Sequence, residues 1–255
     1  MRMFEASRLQ YNITSGYIQI VSNGHYLPAF WAHPELGGPF PGLVMLHDQW
    51  GLTPHIRIQA RRFAEQGYYV IAPDLFNRQI ATSVEQAQAL IAQVGDAVLS
   101  HVAATLHALT THHKCNSKIG LIGWGMGGQL ALRTATARTD LQGLVTFYNP
   151  LGDVMLAELR ALDCSLMAVL AGADPATPPE IVQRLRQALS GTGVTHEVVE
   201  FPAAGYGFFD DTSPAFDAEL AADAWKRALA FLNAQLDVPP VKPPPPGTFD
   251  PGTVY

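Results

Sequence analysis

Short apolar runs alternate along this chain with segments of helical period, and that alternation limits the fold more than any other feature. Leu43-Val44-Met45-Leu46 is apolar without interruption, as a strand buried on both faces should be. Ile56, Ala60, Phe63 and Ala64 follow at helical spacing, and the stripe stops at Gly67. Residues 68–72 read as a strand closed by Pro73. Val84, Ala87, Ile91, Val94, Val98 and Val102 read as helical, with a break at Gly95 and a capping box at Ser83/Gln86. Further strands are expected at 119–122, 144–148, 166–171 and 194–201. Helices are expected from Gln129, from Thr177-Pro178 and from Ser213-Pro214. Strands alternating with helices predict an α/β fold: a mostly parallel central sheet with helices on both faces. An N-terminal β-hairpin is expected ahead of it. Residues 17–22 and 25–32 are β-rich and flank Asn23-Gly24, and Pro28 suggests that the second run is an edge strand.

The 255 residues are expected to form one domain over 1–236, followed by a tail over 237–255. The tail holds seven of the 19 prolines, including Pro243 to Pro246, and reads as polyproline II. Phe249 and Tyr255 are its candidate anchors on a surface, in this subunit or a neighbour, so a homo-oligomer built through the tail is one expectation. Sixteen Lys and Arg against 22 Asp and Glu give a net charge of −6, which argues against a nucleic-acid partner. No apolar run approaches the roughly 20 residues of a membrane span, and residues 1–14 lack the apolar stretch of a signal peptide. Two cysteines, Cys115 and Cys164, without a C-x-x-C pair, suggest a reducing cytoplasm. Their strands should flank the strand ending at Tyr148, too far apart for a bridge. His101, His107, His112 and His113 read as solvated helix-end residues, and no spacing recommends a metal or a cofactor.

Residues 119–128, Ile-Gly-Leu-Ile-Gly-Trp-Gly-Met-Gly-Gly, carry a strand into a glycine turn and then a helix. Gly123, Gly125 and Gly128 match the dinucleotide pattern G-x-G-x-x-G. The following strand, however, ends at Tyr148-Asn149 rather than at the acidic residue that holds a ribose. The other reading is a nucleophile elbow, with Gly123 and Gly127 flanking position 125. Four more segments favour it: His47-Asp48-Gln49-Trp50-Gly51-Leu52, Ala72-Pro73-Asp74-Leu75-Phe76, Gly172-Ala173-Asp174 with Pro178, and residues 201–208. Together and in this order, over roughly residues 10–235, they resemble the dienelactone hydrolase family of the α/β-hydrolase fold.

The resemblance implies a nucleophile at Gly125, an acid at Asp174 and a histidine at Tyr206. It also implies oxyanion donors at the N–H groups of Gln49 and Met126, and a pocket built from His47, Asp48, Trp50, Phe76, Arg78, Trp124 and Tyr148. Of two arginines that grip a substrate carboxylate in the family, one falls on Arg78 and the other on Asp210, a reversed charge. Glycine has no atom to attack with, and a phenol with a pKa of about 10 is a poor base at neutral pH. The expectation is therefore a homologue that keeps a small-molecule pocket without ordinary esterase activity. Two alternatives stand beside it: a hydrolase using His47, Asp48, Asp174 and Tyr206, and an assembly protein working through the tail.

Overall fold

A computed structural model describes residues 10–238. The tail's proline run and its two aromatic anchors lie outside the described residues.

Among the described residues eight strands form one sheet: β1 (Ile13–Ser22), β2 (His25–Pro34), β3 (Phe40–Leu46), β4 (Tyr69–Pro73), β5 (Cys115–Trp124), β6 (Leu141–Phe147), β7 (Ser165–Ala171) and β8 (His196–Phe201). Their order is β1-β2-β4-β3-β5-β6-β7-β8. β2 runs antiparallel to both β1 and β4, and every later pairing is parallel. The hairpin turns at Asn23-Gly24 with positive φ at both residues, as a two-residue turn of this twist requires. β2 is not the edge that Pro28 suggested; β1 is. The ladder to β4 covers Ala29–Ala32 alone, so Pro28 lies beyond it, and its carbonyl accepts the Asp74 N–H. The missing N–H of the proline therefore breaks no bond to β4.

Helices cover both faces. α1 (Pro54–Glu65) and α7 (Ala218–Leu236) bury Ile56, Phe63, Trp225 and Leu232 against one side of the sheet. On the other side lie α2 (Val84–Val94), α3 (Ala97–Thr110), α4 (Met126–Thr136) and α6 (Pro179–Ser190). A short α5 (Asp153–Glu158) and a 3₁₀ turn (Leu159–Ala161) had no clear signal in the sequence. α2 and α3 meet at Gly95 with a bend of 75°, and among the described residues no single helix is long and apolar enough to cross a membrane. β3 is buried along its whole length, which its uninterrupted apolar run required.

α4 begins at Met126 rather than at Gln129, and α7 also starts away from its expected cap. Ser213 Oγ accepts the Ala215 N–H in a local turn, and α7 begins later, where Asp217 accepts from Glu219 and Leu220. Asp217→Ala is expected to cost about 1 kcal/mol and to lower the melting temperature by roughly 2–4 °C in a thermal melt. Ser83 caps α2 through Gln86 N–H, but Gln86 Oε1 accepts from the Thr82 N–H rather than from that of Ser83.

Cys115 opens β5 and Cys164 precedes β7, with β6 between them; both are buried free thiols. His107 and His113 are exposed, as expected, whereas His101 and His112 are half-buried. His101 is within hydrogen-bond distance of Ser22, and the His112 ring packs on Tyr69 and His113.

Candidate active site at the carboxyl edge of the sheet

The chain leaves β3 toward β4 on one side and later enters β5 on the other. The loops after β3 and β5 therefore diverge at a switch point, where α/β sheets open a crevice. His47 and Asp48 follow β3, and Gly125 follows β5.

Gly125 has φ 49° and ψ −116°, a conformation that L side chains avoid, and α4 starts at the next residue. Its N–H donates to the Phe147 carbonyl and its carbonyl receives Gln129 N–H, so the turn is held on both sides. A Cβ on Gly127 would overlap the carbonyls of Leu46 and His47, so the α4 N-terminus lies directly against the β3 loop. This is the geometry of a nucleophile elbow. Met126 is the first helical residue, so its N–H has no acceptor within the helix. The Gln49 N–H has no acceptor among the described residues.

Tyr206 closes the turn from above. A Cβ on Gly125 would collide with the Tyr206 hydroxyl, so the phenol fills the room a side chain at 125 would need. The Tyr206 ring packs edge-on against Tyr148 at 4.8 Å, and burial with the charges of Asp48, Asp174 and Asp210 pushes its pKa up. Tyr148 is itself buried, has φ 36°, and is pushed well above the usual phenol range by burial. Tyr206 makes no hydrogen bond to Asp174, although the two hold the family's histidine and acid positions. Asp174 Oδ1 accepts the Ala176 N–H at 2.9 Å, and its buried Oδ2 has no partner among the described residues. The loop geometry brings the phenol to the elbow rather than to the acid.

His47 is fully buried. Its Nδ1 donates to the Asp48 carbonyl at 2.7 Å and its Nε2 accepts the Leu75 N–H at 3.1 Å. Both nitrogens are committed to joining the β3 and β4 loops, and burial pulls the pKa down to about 4. Asp48 accepts the Trp50 N–H at 2.9 Å, while burial, with a contribution from Asp210, pushes its carboxyl up to about 7.

Asp48, Trp50 and Tyr206 share a cavity of about 340 Å³ with Ile80, Asp210 and Thr212. The other expected lining residues sit elsewhere. Trp124 is buried and stacked on Phe147, and Phe76 packs edge-on against His47. Arg78 lies in a neighbouring cavity of about 540 Å³ with Arg57, Tyr17, Leu52, Asp74 and Ile80. Sequence reasoning missed Arg57 and His55. His55 is buried, with Nδ1 3.3 Å from Asp211 and 3.5 Å from Asp210, and its Nε2 has no partner among the described residues. The ligand atoms of these three residues lie within 4.8 Å of one another, a grouping that could hold a metal ion and that no linear spacing revealed.

The dienelactone hydrolase family model matches residues 27–236, which include the elbow and every loop around it. The chain belongs to the dienelactone hydrolase family. A Yersinia pestis relative named "Putative carboxymethylenebutenolidase" is 32% identical over 238 residues, covering 88% of this chain and 89% of its own. A relative of the same name from Methylorubrum extorquens is 30% identical, with 84% and 79% covered. The crystal structure of a Klebsiella pneumoniae protein named "Putative Dienelactone Hydrolase" superposes with a TM-score of 0.81 at 27% identity. It covers 86% of this chain and 98% of the other. A structure described as a dienelactone hydrolase-like promiscuous phosphotriesterase shares the fold, with a TM-score of 0.78 at 22% identity, 88% of this chain and 98% of the other being covered. The family's α/β-hydrolase fold thus accounts for the parallel sheet, and its antiparallel β1–β2 hairpin extends one side.

Proposed function

We propose that this chain is a dienelactone hydrolase family member that keeps a small-molecule cavity and lacks the family's acyl-transfer chemistry. The observation that carries this reading is the Tyr206 hydroxyl seated where a side chain at position 125 would project. Acyl transfer needs an attacking oxygen or sulfur and a base to take its proton. Gly125 supplies no atom, and a phenol whose pKa is raised by burial is a weaker acid and no useful base. His47 cannot take over, because each ring nitrogen is already hydrogen-bonded and its pKa is depressed.

A second reading, a hydrolase with an unorthodox set, rests on Asp48. A carboxyl poised at about 7 beside a cavity suits proton transfer, and Tyr206 stands across from it. Asp174 and Tyr206 would then position substrate rather than attack it.

Purified protein is expected to hydrolyse neither p-nitrophenyl acetate nor a dienelactone above the buffer rate. Turnover that survives repurification and disappears in Asp48→Asn would favour the second reading and sink the first. The reducing environment expected from the cysteine content is part of the same proposal, and two buried free thiols support it.

A further inference from the structure

Two cavities adjoin at the carboxyl edge, and Ile80 lines both. Their charges are opposite. The larger holds the guanidinium groups of Arg57 and Arg78 beside apolar Leu52, Pro28 and Pro54. Arg57 donates to the Tyr17 hydroxyl at 2.6 Å. Among the described residues neither guanidinium is within ion-pair distance of a carboxylate. Asp74, also in this cavity, faces the charge of both guanidinium groups from beyond ion-pair distance, and its oxygens accept the N–H groups of Phe76 and Arg78. Those bonds hold Asn77 and Arg78 at φ 50° and 69°, two consecutive left-handed residues, and such strain costs on the order of 1–3 kcal/mol per residue. The loop that presents the Arg78 cation is thus held in place against its own preference.

The smaller cavity has the reverse sign. Among the described residues its ionisable lining is Asp48, Asp210 and Tyr206, with no Lys, Arg or His, and the Trp50 and Tyr206 rings form aromatic wall. Asp174, with its unpaired buried Oδ2, adds its field at Tyr206. The groups that bear on Asp48 from neighbouring elements are Asp210, Tyr206 and Tyr148, none of them cationic, and the adjacent His47 is neutral. His55 lies beyond Asp210, against the core. Like charges gathered on one cavity repel one another, and a bound cation relieves that repulsion; aromatic faces add to its attraction.

We propose that the two cavities form one bipolar site for a zwitterion, an ω-amino carboxylate whose carboxylate meets Arg57 and Arg78 and whose ammonium meets Asp48 and Asp210. Ile80 is the apolar saddle under the connecting chain. This rests on the reading that the cavity still accepts a small molecule, and it names that molecule's class. A single charge of either sign satisfies one half and leaves the other half's charges unmet.

The test uses the full chain, treated with a chelator, in isothermal titration at low salt and about pH 8, above the point at which Asp48 ionises at about 7. Straight-chain ω-amino acids from γ-aminobutyrate to ω-aminocaprylate are compared with hexylamine and hexanoate. One length is expected to bind at least about tenfold more tightly than either singly charged control. Arg57→Gln should weaken the zwitterion and hexanoate and leave hexylamine unchanged. Asp210→Asn should weaken the zwitterion and hexylamine and leave hexanoate unchanged. Arg78→Gln, at an exposed position, repeats the first test should Arg57→Gln fail to fold. Absence of binding across the series, equal affinity for all probes, variants that act alike on every probe, or heat from divalent metal salts alone would each overturn the proposal. Ester turnover is read separately, so a catalytic surprise would count against the non-catalytic reading and leave the ligand class to stand or fall on these titrations.

Discussion

Gly125→Ser is expected to destabilise the protein by roughly 2–4 kcal/mol and to gain no esterase activity. Strain at φ 49° accounts for about 1–3 kcal/mol of this, and expelling the Tyr206 hydroxyl from the new side chain's space adds the remainder. In a chain of this size the melting temperature should fall by roughly 4–16 °C. Tyr206→His in the same chain removes the collision, so the double variant should be more stable than the sum of the two single changes by about 0.5–3 kcal/mol. Urea melts of the four proteins give that coupling directly. A stability-neutral Gly125→Ser would mean that the phenol does not occupy the elbow.

The second large effect is on the pH dependence of stability, where two neighbouring residues oppose each other. His47 has a folded pKa of about 4 against 6.5 unfolded. Its contribution is complete above 6.5 and is lost as pH falls toward 4, a swing of roughly 3 kcal/mol at about 1.4 kcal/mol per unit. Asp48 has a folded pKa of about 7 against 3.8 unfolded. The native state then holds a proton that the unfolded chain has released, so stability falls by roughly 4 kcal/mol as pH rises from about 4 to about 7. In the native protein the two slopes nearly cancel between about pH 4 and 6.5. Asp48→Asn should expose the His47 slope: urea stability that climbs by about 3 kcal/mol across that window and exceeds wild type at neutral pH. A variant profile parallel to wild type would show that Asp48 is ordinarily acidic in the fold.

What could be read in the sequence follows from how local each determinant is. Leu43–Leu46 announced a strand buried on both faces because nothing polar interrupts it, and Gly95 announced the bend between α2 and α3. The elbow was legible because Gly123, Gly125 and Gly127 answer to a turn a few residues long. Residues separated by most of the chain left no such trace. The approach of Tyr206 to Gly125, the pairing of His55 with Asp210 and Asp211, and the placement of Arg57 beside Arg78 depend on how loops on different strands lean. The start of α7 was misplaced for a related reason. Ser213-Pro214 looks like a helix start, yet Ser213 spends its hydroxyl on a local turn, and Asp217, with its aim at two N–H groups, wins. Pro28 misled because a proline is barred from a ladder only where its N–H would be used, and β2 meets β4 just beyond it.

The overlap between position 125 and Tyr206 also restricts the routes by which one sequence could turn into the other. A chain with a nucleophile at 125 and tyrosine at 206 is the disfavoured intermediate, because both would claim the same space. Glycine at 125 tolerates either a small or a large residue at 206. The passable path therefore runs through loss of the side chain at 125 before the phenol arrives, and the return path must remove the phenol first. A lineage that has taken the second step regains a nucleophile by one substitution only against the strain and the overlap at position 125. The tyrosine works as a latch on the loss.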